Sequence, residues 1–444
     1  VADGLLATRR PVAALKTNFI YSAISAGSAV LMLALLALAG RWLGVDDYGN
    51  FNYTIALAMV AEVFMDFGLH QVTVRGVAQA PGLAARYFHT SLLLKLAPGL
   101  GMIAVFGFGV LVVRPEPDVR LACLLMLGGA AMRSCILTAK GVLQGLERFG
   151  VDAVVTVADR VLLLVGCGLV LAAGGGLVAT CATFLLVRIA TGVFSLAAVS
   201  RIVGRDGGID RELRRTLPRE ALPIGAFLLI LNLYNRVDTL MLGSLATERE
   251  TGLYGAAYTL YEGLTYAAAI LSAVLVPRLS RLWTHDRVSY ARLARRSLGG
   301  SALAAVLLAV LAYPLTPAAL TAIFGTEFEE AATTVGILLL ALPFMYVLWG
   351  LHSVALSSHS TRALLVVTAV GTGVNVVLNV FWIRAWGAAG AAAATVVSEV
   401  VTAALLTWSL REALAARRLA TATSEASPRC CVQRSPADRY VREY

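Results

Sequence analysis

The sequence is poor in charge. Only 14% of its 444 residues are Asp, Glu, Lys or Arg, against roughly 25% in soluble domains. Hydrophobic residues make up 58%, and the mean hydropathy is +0.77. So few solvating groups cannot cover a water-facing surface, which excludes a soluble enzyme or binding module. Histidine is scarcer still: His70, His89, His285, His352 and His359 are all there is, and no pair has a metal-ligand spacing. The six cysteines contain no CxxC and no Cys/His ligand set, so no metal is expected. Cys123, Cys135, Cys167 and Cys181 fall in apolar runs, where a free thiol acts as a small hydrophobe. Cys430 and Cys431 are adjacent in the tail, where lipidation is the alternative. A Walker loop is also missing, which excludes direct use of ATP. The runs AAGGG (Ala172 to Gly176) and WGAAGAAAA (Trp386 to Ala394) read as a turn and a tightly packed helix start, not as phosphate loops.

What the chain does have is long apolar runs, each near the ~20 residues a helix needs to cross a ~30 Å hydrocarbon core. They are too long and continuous for barrel strands. Twelve spans are expected: 17 to 40, 50 to 70, 88 to 113, 119 to 143, 152 to 173, 177 to 202, 220 to 242, 252 to 276, 297 to 319, 331 to 357, 362 to 384 and 388 to 410. The first has no small-residue cleavage site and another span directly behind it, so it reads as a span rather than a signal peptide. Val1 is what a literally translated GTG start would leave, which points to a bacterial gene.

The net charge of +10 is explained by topology. Before the tail, 22 Lys and Arg fall in loops on one side of the membrane, and only Arg41, Arg114, Arg120, Arg249 and Arg384 fall on the other, with the acidic cluster Glu327, Glu329, Glu330. The positive-inside rule makes the basic side, with both termini, cytoplasmic. A nucleic-acid partner is not expected. The basic linker between spans 6 and 7, residues 204–219, divides the chain into an N-terminal lobe (1–203, spans 1 to 6) and a C-terminal lobe (220–418, spans 7 to 12). The tail, 419–444, is polar and rich in Ser, Pro and Arg, a composition that predicts disorder.

Both halves begin on the same side, so a repeat between them would be parallel. Leu43-Gly44 with Tyr48-Gly49 matches Leu242-Gly243 with Tyr254-Gly255, the second loop being seven residues longer. The first helix of each half also carries a polar stripe: Asn18, Tyr21, Ser22, Ser25 and Ser28, and then Asn232, Asn235, Arg236 and Thr239, both at three-and-four spacing. Small polar residues of this kind serve helix packing, an explanation that suits the serines better than Arg236.

RWLGVDDYGNFNYTIAL (Arg41 to Leu57), DFGLHQVTVRGVA (Asp66 to Ala78), NRVDTLMLG with TGLYGAAYTLYEGL (to Leu264), and IFGTEFEEAATTVGILLLALP (Ile323 to Pro343) occur in this order along the chain. Together with the twelve-span plan they resemble the polysaccharide-exporter flippases of the multidrug/oligosaccharidyl-lipid/polysaccharide exporter superfamily. The resemblance implies an all-α polytopic membrane protein, two six-helix lobes around a central cavity. It also implies alternating access that moves undecaprenyl-pyrophosphate-linked glycans from the inner to the outer leaflet of the bacterial cytoplasmic membrane. Membrane lipids and the glycosyltransferases or polymerase of the same pathway are the implied partners.

Intramembrane charges cost roughly 2.5–3.5 kcal/mol each on insertion scales and mark function by default. Lys95, Arg133, Arg160 and Arg188 lie deep in the N-terminal half, Arg236 lies in span 7, and Lys140 is near enough to an end to snorkel. Guanidinium groups match phosphate oxygens with paired hydrogen bonds. Arg236, Asn232 and Asn235 with Lys95, Arg133, Arg160 and Arg188 are therefore candidates for a cavity that binds a lipid pyrophosphate. The alternative is burial in pairs with Glu62, Asp66 or Asp159. Asp238 lies roughly 160° from Arg236 on a helical wheel, so the two are not a pair, and Asp238 turns toward a neighbouring helix. Glu262, Glu399 and Asp238 give the C-terminal half the opposite balance. They are candidates for coupling to a proton or sodium gradient, with no bound cofactor, or else partners of Arg236 and helix dipoles. The rival functions are a drug/cation antiporter, which needs an acidic cavity; a lipid II-type flippase, whose branch usually has additional spans; a membrane glycan polymerase or ligase, which needs a larger external loop; and a non-transporting scaffold.

Overall fold

The computed structural model describes residues 18, 20–25, 27–204 and 208–415, apart from the side chain of Val113; the tail and its Cys430–Cys431 pair lie outside them. Ten helices are long and apolar enough to cross a membrane. Two are far longer than one crossing requires: 47 residues over Ile20–Asp66 and 49 over Thr361–Ser409. Each is two spans joined by a glycine in a backbone conformation that side chains resist, Gly44 with φ 76° and Gly387 with φ 54°. The chain folds back at both. Met32 and Met59 line one cavity, whereas a straight helix would hold them about 40 Å apart. A Cβ on Gly390 would sit 2.0 Å from the carbonyl oxygen of Trp382. The described residues thus make twelve crossings.

The helices are α1 (Ala29–Asp66, spans 1 and 2), a short α2 (Leu69–Gln79), α3 (Ala84–Val113), α4 (Pro117–Gly145), α5 (Phe149–Ala172), α6 (Leu177–Val203), α7 (Arg211–Leu245), α8 (Glu248–His285), α9 (Arg287–Ala312), α10 (Thr316–Ile323), α11 (Ala331–Ser357), α12 (Thr361–Ser409, spans 11 and 12) and α13 (Arg411–Leu414). Span 2 ends earlier than its hydropathy suggests. Phe67 (φ 42°) and Gly68 (φ 82°) are left-handed, so the helix stops at Asp66 and α2 leaves in a new direction. The second copy of the Leu-Gly turn also differs from the first: α7 runs through Gly243 to Leu245, and the chain turns at the extended Ala246 and Thr247 rather than at the glycine. Lipid tails are as apolar as leucine, so helices associate here by close packing of small residues rather than by hydrophobic exclusion.

The two six-helix lobes, α1 to α6 and α7 to α12, meet through α1 against α7 and α8, with α2 and α3 against α7. Contact occurs at both ends of the bundle. At the acid-rich end a Cβ on Gly49 would lie 2.0 Å from the carbonyl oxygen of Glu248, and one on Gly252 would lie 2.1 Å from that of Val45, so backbone touches backbone there. Beside this contact the fully buried Tyr48 packs on Phe324 and Phe328, ring centroids 5.7 and 5.5 Å away, which gives IFGTEF its place as a cross-lobe wedge. Arg114 reaches Glu248 at 3.5 Å and lies over the Tyr53 ring. At the basic end Phe67 and Gly68 abut Ala221 and Gly225, Leu69 and Val72 bury against Leu217 and Ala221, and Arg75 pairs with Glu220. Asp210 caps α7 by accepting from the Glu212 and Leu213 N–H groups, and Arg86 of α3 approaches it at 3.3 Å. Chiefly the Leu213 N–H, then those of Glu212 and Arg86, hold its carboxyl below the ordinary carboxylate range.

Candidate functional site: the cavity between the lobes

A cavity of about 300 Å³ lies between the two contact zones. Helical periodicity fills its walls. Asn52, Ile55, Met59 and Glu62 share one face of α1, Arg133 comes from α4, Asp159 and Arg160 from α5, and Arg188 from α6. Across from them, Asn232, Arg236 and Thr239 face in from α7 at intervals of four and three, and Tyr258, Glu262 and Tyr266 from α8 at intervals of four. The two tyrosines were missed by charge-based reading of the sequence, although their spacing with Glu262 already places them on its face. Four arginines therefore meet three carboxylates, and the two tyrosines lie on the second-lobe side opposite Phe184 of the first.

Three of those arginines are paired. Arg188 donates to Asp159, which also accepts from Thr191 Oγ1 at 3.0 Å, and the guanidinium lies over Phe184, 5.0 Å from the ring centroid. Arg133 Nε donates to the Glu62 carboxylate at 3.1 Å. Arg236 Nη2 donates to Glu262 Oε1 at 3.3 Å and sits 5.8 Å from the Tyr258 ring centroid. Among the described residues Arg160 has no ion-pair or hydrogen-bond partner. Asp159 and Arg160, neighbours in sequence, point to different places, as the ~100° per residue of a helix demands.

Two other intramembrane cations, the candidate Lys95 and Lys140, have other surroundings. Lys95 lines no part of the cavity. It is buried, with Nζ 2.6 Å from Asp66 Oδ1 and 2.6 Å from the Ser134 carbonyl, and so fixes the end of span 2 to α3 and α4. Lys140, near the end of its span, makes an ion pair of 2.8 Å with Asp152. Asn235 opens into a second cavity of about 200 Å³ with Asp66, His70 and Gln71. Glu62 and Asn232 line both cavities, so the smaller one adjoins the larger on the side of the basic end.

The three acidic candidates also separate. Glu262 belongs to the cavity wall. Asp238 is turned into the second lobe and fully hydrogen-bonded: Tyr254 Oη and Thr395 Oγ1 donate at 2.8 Å each and Asn379 Nδ2 at 2.5 Å, while Asn379 also donates to Asn375 at 2.9 Å. Glu399 accepts from Tyr261 Oη at 2.8 Å. Its second oxygen, and the Asn379 Oδ1, are buried with no partner among the described residues, an uncommon condition for buried polar atoms. Cys123, Cys167 and Cys181 are free and buried, and Cys135 is free and half-buried.

Comparison with known proteins agrees with this architecture. The lipid II flippase MurJ in an inward closed conformation superposes with a TM-score of 0.72 over 88% of this chain and 87% of that one, at 12% identity. An inward-facing multidrug resistance MATE family transporter of the MOP superfamily gives 0.72 over 93% and 100%, at 14% identity. An outward-facing multidrug resistance MATE family transporter of the MOP superfamily gives 0.58 over 92% and 96%, at 16% identity. No curated protein sequence matches. The profile of the family described as polysaccharide biosynthesis protein matches residues 15–283. On that match, and with the fold of the superfamily's transporters, the chain belongs to the polysaccharide biosynthesis protein family.

Proposed function

We propose that this protein is a flippase for undecaprenyl-diphosphate-linked oligosaccharide in cell-surface polysaccharide biosynthesis, working by alternating access and without covalent chemistry. The observation that carries this is the charge of the central cavity, where four arginines face three carboxylates and Arg160 is left without a partner among the described residues. A diphosphate crossing the bilayer must be kept out of hydrocarbon, and guanidinium groups in a polar cavity supply that. A drug/cation antiporter needs the opposite balance. The cavity chemistry suits any lipid diphosphate, a lipid II-type substrate included, and the family description favours polysaccharide precursors.

In this reading the membrane is the bacterial cytoplasmic one, the basic end and both termini face the cytoplasm, and glycosyltransferases of the same pathway load the substrate there. Energy comes from a proton or sodium gradient acting on the second lobe, where Asp238 and Glu399 are buried and accept from hydroxyl and amide donors. Deletion of the gene with analysis of the lipid pool tests the function. Accumulation of an inward-facing undecaprenyl-linked glycan is expected, and an unchanged lipid-linked pool rejects it.

A further inference from the structure

The three ion pairs on the cavity wall are not equivalent. In Arg188–Asp159 the side chains are 7% and 6% exposed, and Asp159 is also held by Thr191. That pair is sealed. Arg133–Glu62 is open, at 35% and 19%, and so is Arg236–Glu262, at 20% and 28%. Each open pair rests on one N–H: Arg133 Nε lies 3.1 Å from both Glu62 oxygens and Arg236 Nη2 lies 3.3 Å from Glu262 Oε1, not on the two parallel bonds that arginine and a carboxylate can form. A guanidinium carries five N–H donors, so Arg133 and Arg236 have most of theirs uncommitted. Arg160, on the same wall, has all of its own uncommitted among the described residues.

We propose that Glu62 and Glu262 are stand-in ligands. They hold Arg133 and Arg236 while the cavity is empty and yield them to the substrate's diphosphate, with Arg160 making the first contact. This rests on the lipid-diphosphate reading above. A diphosphate has more charge and more acceptor oxygens than one carboxylate and takes forked bonds from arginine, so it displaces a partly exposed carboxylate held by one N–H but not the sealed Asp159. Arg133 belongs to the first lobe and Arg236 to the second. A single diphosphate that holds both ties the lobes together, which is the differential contact a ligand needs in order to shift a conformational equilibrium.

The test measures the affinity of the purified full-length protein for undecaprenyl diphosphate by calorimetry. Arg160→Gln weakens binding by about tenfold or more, the loss expected for a hydrogen bond between charged groups. Glu62→Gln and Glu262→Gln each tighten it, by about fivefold, since the anion no longer has to displace a partly exposed ion pair. The gain of Glu62→Gln disappears when Arg133 is also Gln, and that of Glu262→Gln when Arg236 is also Gln. Weaker or unchanged binding by the Glu variants overturns the proposal, because carboxylates that orient the arginines would be needed for affinity. A gain that survives in the double variants also overturns it, by reducing the effect to a change in the local field. If the wild-type protein fails to bind undecaprenyl diphosphate, the lipid-diphosphate reading itself falls. If it binds while the Glu variants do not gain, only the exchange falls.

Discussion

Gly252→Ala should open the acid-rich end of the protein. The added Cβ would lie 2.1 Å from the Val45 carbonyl oxygen and 3.0 Å from its carbon, against an ordinary contact of roughly 3.5 Å between heavy atoms. Both obstacles are backbone, so no rotamer relieves the clash, and the two helices must part by about 1 Å or more. Overpacking of this kind costs about 1–3 kcal/mol. The cost falls only on conformations in which α1 and α8 touch, because Gly252 faces Val45 of the other lobe. It therefore multiplies the ratio of open to closed forms by about 5 to 150. A single cysteine introduced at Thr259, which lines the cavity, in a background without the six native cysteines, reports this as faster labelling by a membrane-impermeant maleimide from that side. Gly263→Ala is the control on the same helix, since nothing lies within 4 Å of its Cβ position. Equal labelling rates for Gly252→Ala and Gly263→Ala, with both proteins inserted, would refute the reasoning.

Asp159→Asn leaves Arg188 buried without its counter-charge and should destabilise the first lobe by about 3–5 kcal/mol, seen as a lower Tm in detergent. Glu62→Gln at the partly exposed Arg133 pair should change stability by less than about 1 kcal/mol. Replacing Asp238 by Asn and Glu399 by Gln should make flipping indifferent to collapse of the proton and sodium gradients, and equal sensitivity in the variant would remove the coupling role. Arg236→Ala should abolish complementation of a deletion strain while the protein still inserts; wild-type export would make Arg236 a structural residue. The tie of Asp210 to α7 and Arg86 depends on an ionised carboxylate whose folded pKa is depressed. Its contribution is therefore complete at pH values above the ordinary carboxylate range of about 4 and is lost only as pH falls through the lower folded value. Cross-linking of Arg86→Cys to Asp210→Cys cannot test this, so hydrogen exchange of the Glu212 and Leu213 amides is the measurement, and protection should be constant from pH 5 to 8.

Much of the fold was legible because the bilayer imposes one-dimensional rules. Twelve spans follow from hydropathy and length, and of the stripe Asn232, Asn235, Arg236 and Thr239 on one helix three line the central cavity while Asn235 lines the adjoining one. The edges were less legible. Span 2 stops at Asp66 through the left-handed Phe67 and Gly68, a local backbone choice that hydropathy does not register. Lys95 and Arg133 look alike in sequence, each a lone cation in an apolar run, yet one is locked to Asp66 behind the wall and the other lies on it. Tyr258 and Tyr266 were passed over because an aromatic side chain in a membrane helix carries no insertion penalty to draw attention.

The sequence by itself determined that the chain spans a membrane, how often, where its loop charges lie, and which ionisable groups are too costly to be there without a use. Those properties depend on residues within one helix length of each other and on the thickness of hydrocarbon. Only the tertiary structure decided which charges meet: Arg133 with Glu62, Arg188 with Asp159, Arg236 with Glu262, and Arg160 with none among the described residues. Partners lie 26 to 71 residues apart, and their meeting is set by how helices rotate and pack against one another. In lipid that packing is governed by the shapes of small residues such as Gly49 and Gly252 rather than by any pattern of polarity along the chain.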